Sequence, residues 1–352
     1  MKIESNYSLF RHNTFKLKLN TRLYIEYDDE YELDEIFQKY IVKDGEKVFA
    51  HIGRGSNVVF TEDYYNGIIL SSAIRNVLLE LETEGDVYLQ IGAGALWDDF
   101  VLYATSHKWY GVENLSGIPG YAGACALQNI GAYGVEIKDV LEWVEIYDVE
   151  TRQVRRLLRE ECLFDYRKSA LDRGNQWVIL RMGIRLSKSP VAGPIYEEIR
   201  TLVSPYASSA TIRRKILAIR GEKLPSYRKQ GNAGSFFVNP LLTASEWDKL
   251  QGIAPDLPHF TDERGRTKVS AARLIELCGL KGASNGSVGV SNQHALVLVN
   301  LGGARGQDVT DMATRVWEAV YERFGLSLQA EVKLISANEN NFPWYGNFNR
   351  HS

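Results

Sequence analysis

The chain has 352 residues, a net charge of −3, 45% hydrophobic residues and 24% charged residues. This composition is typical of a globular protein with an interior large enough for about two or three domains. The slightly acidic balance excludes a basic surface for nucleic acid, and no apolar run reaches the ~18–20 residues of a membrane helix. The N-terminus lacks the apolar core of a secretory signal, so we expect a cytoplasmic protein.

The cysteine content points to the same compartment. Cys125, Cys162 and Cys278 are an odd number at wide spacings, with no Cys-x-x-Cys pair. This spacing argues against a disulfide framework and against a zinc ribbon, and it fits a reducing environment. We therefore expect no metal site, and nothing in the sequence implies an obligate protein partner.

The N-terminal part contains a glycine turn between two short strands. Residues 13–27 predict one or two strands, and residues 28–40 predict an amphipathic helix. A buried strand at 48–52 runs into Gly53-Arg54-Gly55-Ser56-Asn57, and a strand resumes at 58–60. Such a turn can present backbone N–H groups to a phosphate, although most Gly-x-Gly turns only change the chain direction. It is not a Rossmann fingerprint, because the third glycine is absent and a strand follows.

A second glycine-rich region occupies residues 111–134. It follows a predicted strand at 87–94 and a helix that begins near residue 96. Close approach of the backbone to a large flat ligand would explain so many glycines. The alternative is a long surface loop, but the apolar residues interleaved here are not those of a solvated linker.

The middle of the chain predicts a hairpin at 140–149 and 152–158, a strand at 177–186 and a helix at 211–220. Between the hairpin and the strand lies the segment 162–169, which contains Arg167 two residues after a carboxylate. From the residues alone, such an arginine is more often part of a surface ion pair.

The segment from Lys223 to Pro240 contains the most distinctive candidate site of the chain. Its small-residue loop, residues 231–234, delivers a hydroxyl at Ser235, and an apolar pair of phenylalanines then starts a strand. A hairpin turn whose serine faces water fits this spacing equally well.

Beyond that loop the sequence alternates helices and strands. We predict a helix at 269–278, a strand at 295–300 and a helix at 308–324 that Gly325 ends. A last strand at 328–335 carries Glu331 among apolar neighbours.

The segment Gly231-Asn232-Ala233-Gly234-Ser235-Phe236-Phe237-x-Asn239-Pro240 resembles the signature of the UDP-N-acetylenolpyruvoylglucosamine reductase family. The glycine-rich stretches at 53–57, 92–94 and 111–134 resemble the FAD-binding segments of that family. Residues 166–169 resemble its Tyr-Arg-x-Ser element, and residues 328–332 resemble its Leu-x-x-Glu-Val strand. The segment 194–199, with Tyr196, resembles the insertion of the longer, type I branch.

The resemblance implies an α+β protein with a PCMH-type (vanillyl-alcohol-oxidase-like) FAD-binding fold in two subdomains plus a smaller α/β substrate-binding domain. We expect the first FAD-binding subdomain at residues 1–70, with a C-terminal strand from 325–352 returning to it. The second subdomain is expected at 71–206 and the substrate-binding domain at 207–324.

The resemblance also implies the chemistry. The expected enzyme is an NADPH- and FAD-dependent oxidoreductase that reduces UDP-N-acetylglucosamine enolpyruvate to UDP-N-acetylmuramate for peptidoglycan synthesis. A hydride passes from NADPH through non-covalently bound FAD to C3 of the enolpyruvyl group, and Ser235 protonates C2. Arg167 stabilises the charge that builds on the carboxylate, and Glu331 helps orient or polarise the same group.

The resemblance assigns the remaining contacts by position. The nucleotide-sugar substrate is expected to contact Tyr196, Lys223, Asn239 and His294. The FAD-binding residues are expected to be Gly53, Gly55, Ser56, Asn57, Gly117, Ile118, Pro119, Gly120, Gly123, Asn129, Gly131, Ala132, Tyr133 and Gly134.

Two other functions compete with this reading. A PCMH-type FAD-dependent sugar or alcohol oxidase often attaches its flavin through a histidine or cysteine, and His51 lies beside the first glycine turn. An oxidase would not need Ser235 in its full context. A catalytically silent nucleotide-binding module would keep the glycine loops but would tolerate loss of Arg167, Ser235 or Glu331, and all of these are present.

Overall fold

The computed structural model describes residues 1–41, 49–190, 204, 207–262, 265–336 and 342–345. The helices are α1 Glu30–Ile36, α2 Trp97–Ser106, α3 Ala122–Leu127, α4 Ser209–Lys223, α5 Ala244–Ile253, α6 Ala271–Leu277 and α7 Gly306–Phe324. The strands are β1 Lys2–Ser8, β2 Asn20–Tyr27, β3 Phe49–His51, β4 Val58–Phe60, β5 Tyr64–Ser72, β6 Val77–Glu82, β7 Asp86–Gly92, β8 Gly131–Ala132, β9 Val135–Glu136, β10 Leu141–Asp148, β11 Gln153–Leu158, β12 Trp177–Ser187, β13 Asn232–Ser235, β14 Leu241–Leu242, β15 His259–Thr261, β16 Thr267–Val269, β17 Val288–Val290, β18 Val297–Asn300 and β19 Lys333–Ile335.

The N-terminal sheet has the strand order β1-β2-β5-β3, antiparallel between β1 and β2 and parallel in its other pairs. Helix α1 packs on it through the buried side chains Leu33 and Ile36. The carboxylate of Asp29 caps α1 by accepting from the N–H of Glu32 at 2.8 Å. The helix predicted at 28–40 is therefore confirmed, with its last turn in π-helical form at Phe37–Ile41.

The second sheet is antiparallel throughout and has the order β11-β10-β12-β7-β6. Helices α2 and α3 cover one face of it and bury a continuous apolar core. The hairpin predicted at 140–149 and 152–158 corresponds to β10 and β11 and is confirmed.

The C-terminal part combines two small sheets, β13-β18-β17 and β14-β16-β15, with helices α4 to α7. Helix α7 buries Val309, Met312, Val316 and Val320 along one face, as its apolar spacing predicts. Gly325 follows with φ of 67°, the left-handed conformation that ends a helix at a glycine.

The chain then returns to the N-terminal part, where β19 pairs in parallel with β4. The strand predicted at 328–335 starts only at Lys333, so Glu331 precedes it. Upstream, Ala330 makes an isolated bridge to Phe237. The predicted strand was too long because the backbone at 330–332 bonds to Trp344 and Phe236, whereas only 333–335 pair with a neighbouring strand.

The loop prediction at 231–234 also needs correction. Asn232–Ser235 is itself the strand β13, and Ser235 ends it instead of preceding a strand. The division into subdomains at 1–70, 71–206 and 207–324 stays our proposal. Among the helices of the described residues, none has the length and apolar character needed to cross a bilayer.

Candidate functional site

A cavity of about 480 Å³ lies where the N-terminal, middle and C-terminal parts of the chain meet. Both glycine-rich regions and helix α4 contribute to its wall. Its lining includes Gly53, Gly55, Ser56, Asn57, Gly117, Ile118, Pro119, Gly120, Gly131, Arg167, Arg220, Ser235 and Glu331. The cavity thus brings together most of the predicted FAD-binding residues and all of the predicted catalytic residues.

The first glycine turn joins β3 to β4 and places bare backbone at the cavity wall. Gly55 has φ of 65°, and a Cβ there would lie 2.0 Å from the carbonyl oxygen of His12. Only glycine fits this position. Within the described part of the chain, the N–H groups of Gly53, Gly55 and Ser56 have no protein acceptor. Free N–H groups gathered in one turn form a concavity that suits a phosphate.

The second glycine turn is held against the first. Ser56 Oγ donates to the carbonyl oxygen of Pro119 at 2.9 Å. On its other side, the N–H of Gly117 donates to Asp98 at 2.6 Å. Both oxygens of Asp98 in turn accept from Arg213, at 2.5 and 3.0 Å. Helices α2 and α4 therefore fix the loop that faces the cavity.

Arg220 is a cavity-lining cation that the sequence analysis did not single out. It lies on α4 close to Gly117, since a Cβ on that glycine would be 3.2 Å from Arg220 Nε. Burial lowers the pKa of its guanidinium, which stays cationic at neutral pH. The sequence shows that Arg220 lies just before the segment that begins at Lys223. It does not show that Arg220 contacts the loop at Gly117, about one hundred residues earlier in the chain.

Arg167 and Glu331 form the charged centre of the site. Arg167 Nε lies 3.2 Å from Glu331 Oε1, with 20% and 26% of the two side chains exposed. Arg167 also donates from Nη2 to the carbonyl oxygen of Gly131 at 2.7 Å. A Cβ on Gly131 would lie 2.9 Å from Arg167 Nη1, so the glycine makes room for the guanidinium.

The loop that carries Arg167 is supported from behind. Arg167 has φ of 57°, an uncommon conformation for a non-glycine residue that often marks a functional position. The buried Asn129 donates from Nδ2 to the carbonyl oxygen of Asp165 at 2.9 Å and to Glu136 at 3.0 Å. Asn129 thus holds the arginine loop and does not line the cavity.

Burial raises the pKa of the Glu331 carboxyl, and the neighbouring charge of Arg167 opposes that rise. The backbone of Glu331 is fixed on two sides. Its N–H donates to the carbonyl oxygen of Phe236 at 2.8 Å, and its carbonyl oxygen accepts from Asn57 Nδ2 at 3.0 Å. The acid is therefore tied both to the Ser235 strand and to the first glycine turn.

A β-bulge aims Ser235 into the cavity. Asn232 pairs with Val299 and Ser235 with Val297, so β13 has one more residue than β18 between these pairs. Gly234 in the bulge has φ of 76°, and its N–H donates to Asn232 Oδ1 at 3.1 Å. The extra residue turns the hydroxyl away from the side that regular alternation would give it.

Four other predicted FAD-binding residues do not line the cavity. Gly123 lets α3 approach β7, since a Cβ there would lie 2.8 Å from the Cβ of Ala93. Tyr133 and Gly134 have φ of 51° and 84° and form the two-residue turn of the β8–β9 hairpin. Ala132 lies in the same hairpin and packs against the middle core.

Three of the four predicted substrate-binding residues, Lys223, Asn239 and His294, do not line the cavity. Lys223 ends α4. Asn239 Oδ1 accepts from the N–H of Ala271 at 3.0 Å, at the start of α6. His294 Nδ1 accepts from the N–H of Leu296 at 3.3 Å, and burial lowers the pKa of its imidazole. Tyr196 lies outside the described residues.

His51, the residue on which the oxidase alternative depends, also lines the cavity. Its Nε2 lies 2.8 Å from the hydroxyl of Tyr27. Burial lowers the pKa of His51 to about 4, so the imidazole is neutral at physiological pH. The described residues contain no group of three or more His, Cys, Asp or Glu side chains placed to hold a metal ion.

Comparison with known proteins decides between the families. The UDP-N-acetylenolpyruvoylglucosamine reductase of Bacteroides fragilis (strain YCH46) is 40% identical over 337 residues, covering 95% of this chain and all of that protein. The reductase of the same name from Porphyromonas gingivalis (strain W83) is 37% identical over 340 residues, again covering 95% of this chain and 100% of the relative. This chain belongs to the UDP-N-acetylenolpyruvoylglucosamine reductase family.

Two domain families match this reductase-family chain in separate places. Residues 22–157 match the FAD binding domain family, and residues 226–335 match the C-terminal domain of UDP-N-acetylenolpyruvoylglucosamine reductase. The chain therefore carries an FAD-binding domain and is an oxidoreductase of this family. The concavity at the first glycine turn fits the diphosphate of that cofactor.

Comparison with solved structures supports the same fold. The crystal structure of the reductase from Thermus caldophilus superimposes with a TM-score of 0.66 and 23% sequence identity, covering 95% of this chain and 99% of that one. The predicted α+β, PCMH-type FAD-binding fold is confirmed.

Proposed function

We propose that the chain reduces UDP-N-acetylglucosamine enolpyruvate to UDP-N-acetylmuramate with NADPH, as a step in peptidoglycan precursor synthesis. The observation that carries the proposal is the convergence of Arg167, Ser235 and Glu331 on the cavity lined by both glycine turns. A guanidinium, a hydroxyl and a carboxyl beside a flavin site are the groups that this reduction needs.

FAD, held in this cavity, would supply the redox chemistry, namely hydride transfer between NADPH and the enolpyruvyl group. The residues that would hold it are those of the two glycine turns, 53–57 and 117–120, with the free N–H groups of the first turn toward its diphosphate. Arg220 adds a positive charge to the same wall.

Arg167 stabilises the developing negative charge. Hydride addition at C3 leaves charge at C2 that spreads onto the substrate carboxylate, and preorganised cations at that position lower the barrier most. Arg167 suits this role because its planar guanidinium grips a carboxylate with paired donors. Its contact with the carbonyl oxygen of Gly131 fixes the guanidinium before substrate arrives.

Ser235 donates the proton to C2. A serine hydroxyl is a weak acid in water, but a carbanionic carbon is a far stronger base, so the position of the hydroxyl matters more than its acidity. The bulge at Gly234 and the pairing of Ser235 with Val297 supply that position.

Glu331 works beside Arg167. The ionised carboxylate orients the guanidinium at 3.2 Å. Since burial raises the pKa of Glu331, its protonated form is more accessible than in water, and that form does not repel the charge on the substrate. Both states support the proposed orienting or polarising role.

The UDP portion is proposed to contact Lys223, Asn239, His294 and Tyr196. The first three belong to the C-terminal part, which also carries Ser235 and Glu331, so a nucleotide bound there reaches the cavity from that side. The proposed partner is this small nucleotide sugar alone, and the proposed compartment is the cytoplasm.

Anaerobic assay of the purified protein tests the proposal. We expect a flavin absorbance spectrum and NADPH oxidation that depends on added UDP-N-acetylglucosamine enolpyruvate, with UDP-N-acetylmuramate formed in equal amount. Oxygen consumption with a free sugar or alcohol and no use of NADPH would instead identify the oxidase. A yellow protein inactive in both assays would be the silent module.

A further inference from the structure

A short segment near the C-terminus lies directly behind the predicted proton donor and acid. Residues 342–345, here called the tail segment, pack against the elements that carry Ser235 and Glu331. The match to the family's C-terminal domain ends at residue 335, so the tail segment lies outside it.

Trp344 connects the tail segment to the Ser235 strand. The indole is fully buried, with ring centroids 5.6 Å from Phe236 and 6.3 Å from Phe237, both in edge-on geometry. Its Nε1 donates to Thr314 Oγ1 on α7 at 2.9 Å. The two phenylalanines directly follow Ser235, so the indole forms the packing surface behind the serine.

The backbone and Tyr345 connect the tail segment to the chain on either side of Glu331. The N–H of Ala330 donates to the carbonyl oxygen of Trp344 at 2.9 Å. Tyr345 Oη accepts from the N–H of Leu334 at 3.2 Å and donates to its carbonyl oxygen at 3.3 Å. These contacts hold the chain on both sides of Glu331.

The cofactor loop holds the opposite edge of that chain. Asn57 Nδ2 donates to the carbonyl oxygen of Glu331 at 3.0 Å, and the N–H of Lys333 donates to the carbonyl oxygen of Asn57 at 3.0 Å. Glu331 is therefore fixed between the first glycine turn and the tail segment. Removing the tail segment leaves the chain around Glu331 held only by the first glycine turn and by the bond from its N–H to the carbonyl oxygen of Phe236.

We propose that the tail segment is a positioning element for the reduction and protonation of the substrate, acting through Phe236 on Ser235 and through Ala330 on Glu331. This inference rests on the proposed function of those two residues. Trp344 and Tyr345 are positioning residues, since neither of them lines the cavity. A displacement of about 1 Å at a reacting group is enough to cost on the order of 10²-fold in rate.

Single-turnover kinetics of Trp344→Ala and Trp344→Phe test the proposal. We expect Trp344→Ala to slow flavin reoxidation by the enolpyruvyl substrate by at least about tenfold. Flavin reduction by NADPH should change little, and Trp344→Phe should restore most of the rate because it keeps the aromatic packing. Trp317→Ala is the matched control, since Trp317 lies on α7, the helix that Trp344 contacts, but stacks on Tyr321.

Hydrogen exchange measures the same support without turnover. In Trp344→Ala the amides of residues 330–334 should exchange faster than in wild type and in Trp317→Ala. Equal loss of both half-reactions, or unchanged reoxidation and unchanged exchange, would overturn the proposal. If the wild-type protein does not turn over, the proposed function is refuted. The exchange rates of residues 330–334 would still show whether the tail segment stabilises the chain around Glu331.

Should Trp344→Ala fail to bind FAD, Tyr345→Phe decides the question. This variant loses only the hydroxyl that bonds to the backbone of Leu334. We expect slower reoxidation and faster exchange at residues 333–335, with Tyr321→Phe, an exposed tyrosine on α7, as its control. Identical behaviour of Tyr345→Phe and Tyr321→Phe would refute the proposal.

Discussion

Arg167 Nε lies 3.2 Å from Glu331 Oε1, although the two residues belong to separate parts of the fold. The arginine follows the second sheet's hairpin, and the glutamate precedes the strand that returns to β4. Their pairing forms the charged centre of the cavity and depends on the whole tertiary structure.

Replacing Arg167 by lysine should slow turnover by roughly 10²–10³-fold, the usual effect of removing a donor that stabilises developing charge. Lysine keeps the charge but cannot contact both Gly131 and Glu331 with a planar group. Steady-state kinetics measure the effect at unchanged FAD content. Arg185→Lys, which alters a surface pair with Asp86, is the control and should be neutral.

Ser235→Ala should leave flavin reduction by NADPH intact and slow substrate reduction by ~10²–10⁴-fold, the usual contribution of a positioned general acid. Stopped-flow absorbance separates the two half-reactions. Ser106→Ala removes an exposed hydroxyl at the end of α2 and should change neither. Equal impairment of both half-reactions in Ser235→Ala would refute the role.

Gly234→Ala tests the bulge. A Cβ at Gly234 meets no atom within 4 Å, so the cost comes only from its φ of 76°. We expect the free energy of unfolding to fall by about 1–2 kcal/mol, with a further loss in the Ser235-dependent step. Gly252→Ala, in helix α5 and equally open, should instead stabilise by roughly 0.5–1 kcal/mol. Denaturant titration of both variants measures the difference.

His51 should make stability depend on pH below neutrality. Burial lowers the pKa of its imidazole from 6.5 to about 4, so the unfolded chain binds a proton in a range where the folded chain does not. The free energy of unfolding is therefore unaffected by His51 above pH ~6.5. It falls as the pH drops toward about 4, by up to about 3 kcal/mol.

His51→Gln should remove this acid-side loss. The free energy of unfolding of wild type and variant at pH 5 and pH 7.5 measures this loss. His107→Gln, which changes an exposed histidine, is the control and should keep the wild-type pH dependence. Parallel pH curves for wild type and His51→Gln would show that the buried imidazole does not contribute.

The amino-acid pattern was enough to predict most helices and strands and the residue types of the site, although it took β13 for a loop and began the last strand too early. Apolar periodicity fixes α7 and the β10–β11 hairpin, because each buries one face and needs no information from elsewhere in the chain. The Gly231–Pro240 segment identified Ser235 through its resemblance to the reductase family. Such patterns can be recognised from sequence because all the residues that form them lie within a few helical turns or one loop.

Which of these residues meet follows from the packing of the folded chain. The start of β19, the absence of Asn129 from the cavity wall, the presence of Arg220 there and the packing of Trp344 behind Ser235 all depend on contacts between distant segments. Hydrogen-bond partners and burial are properties of the packed chain. A sequence pattern specifies a side chain and its local backbone, whereas its pKa and its partner follow from what packs against it.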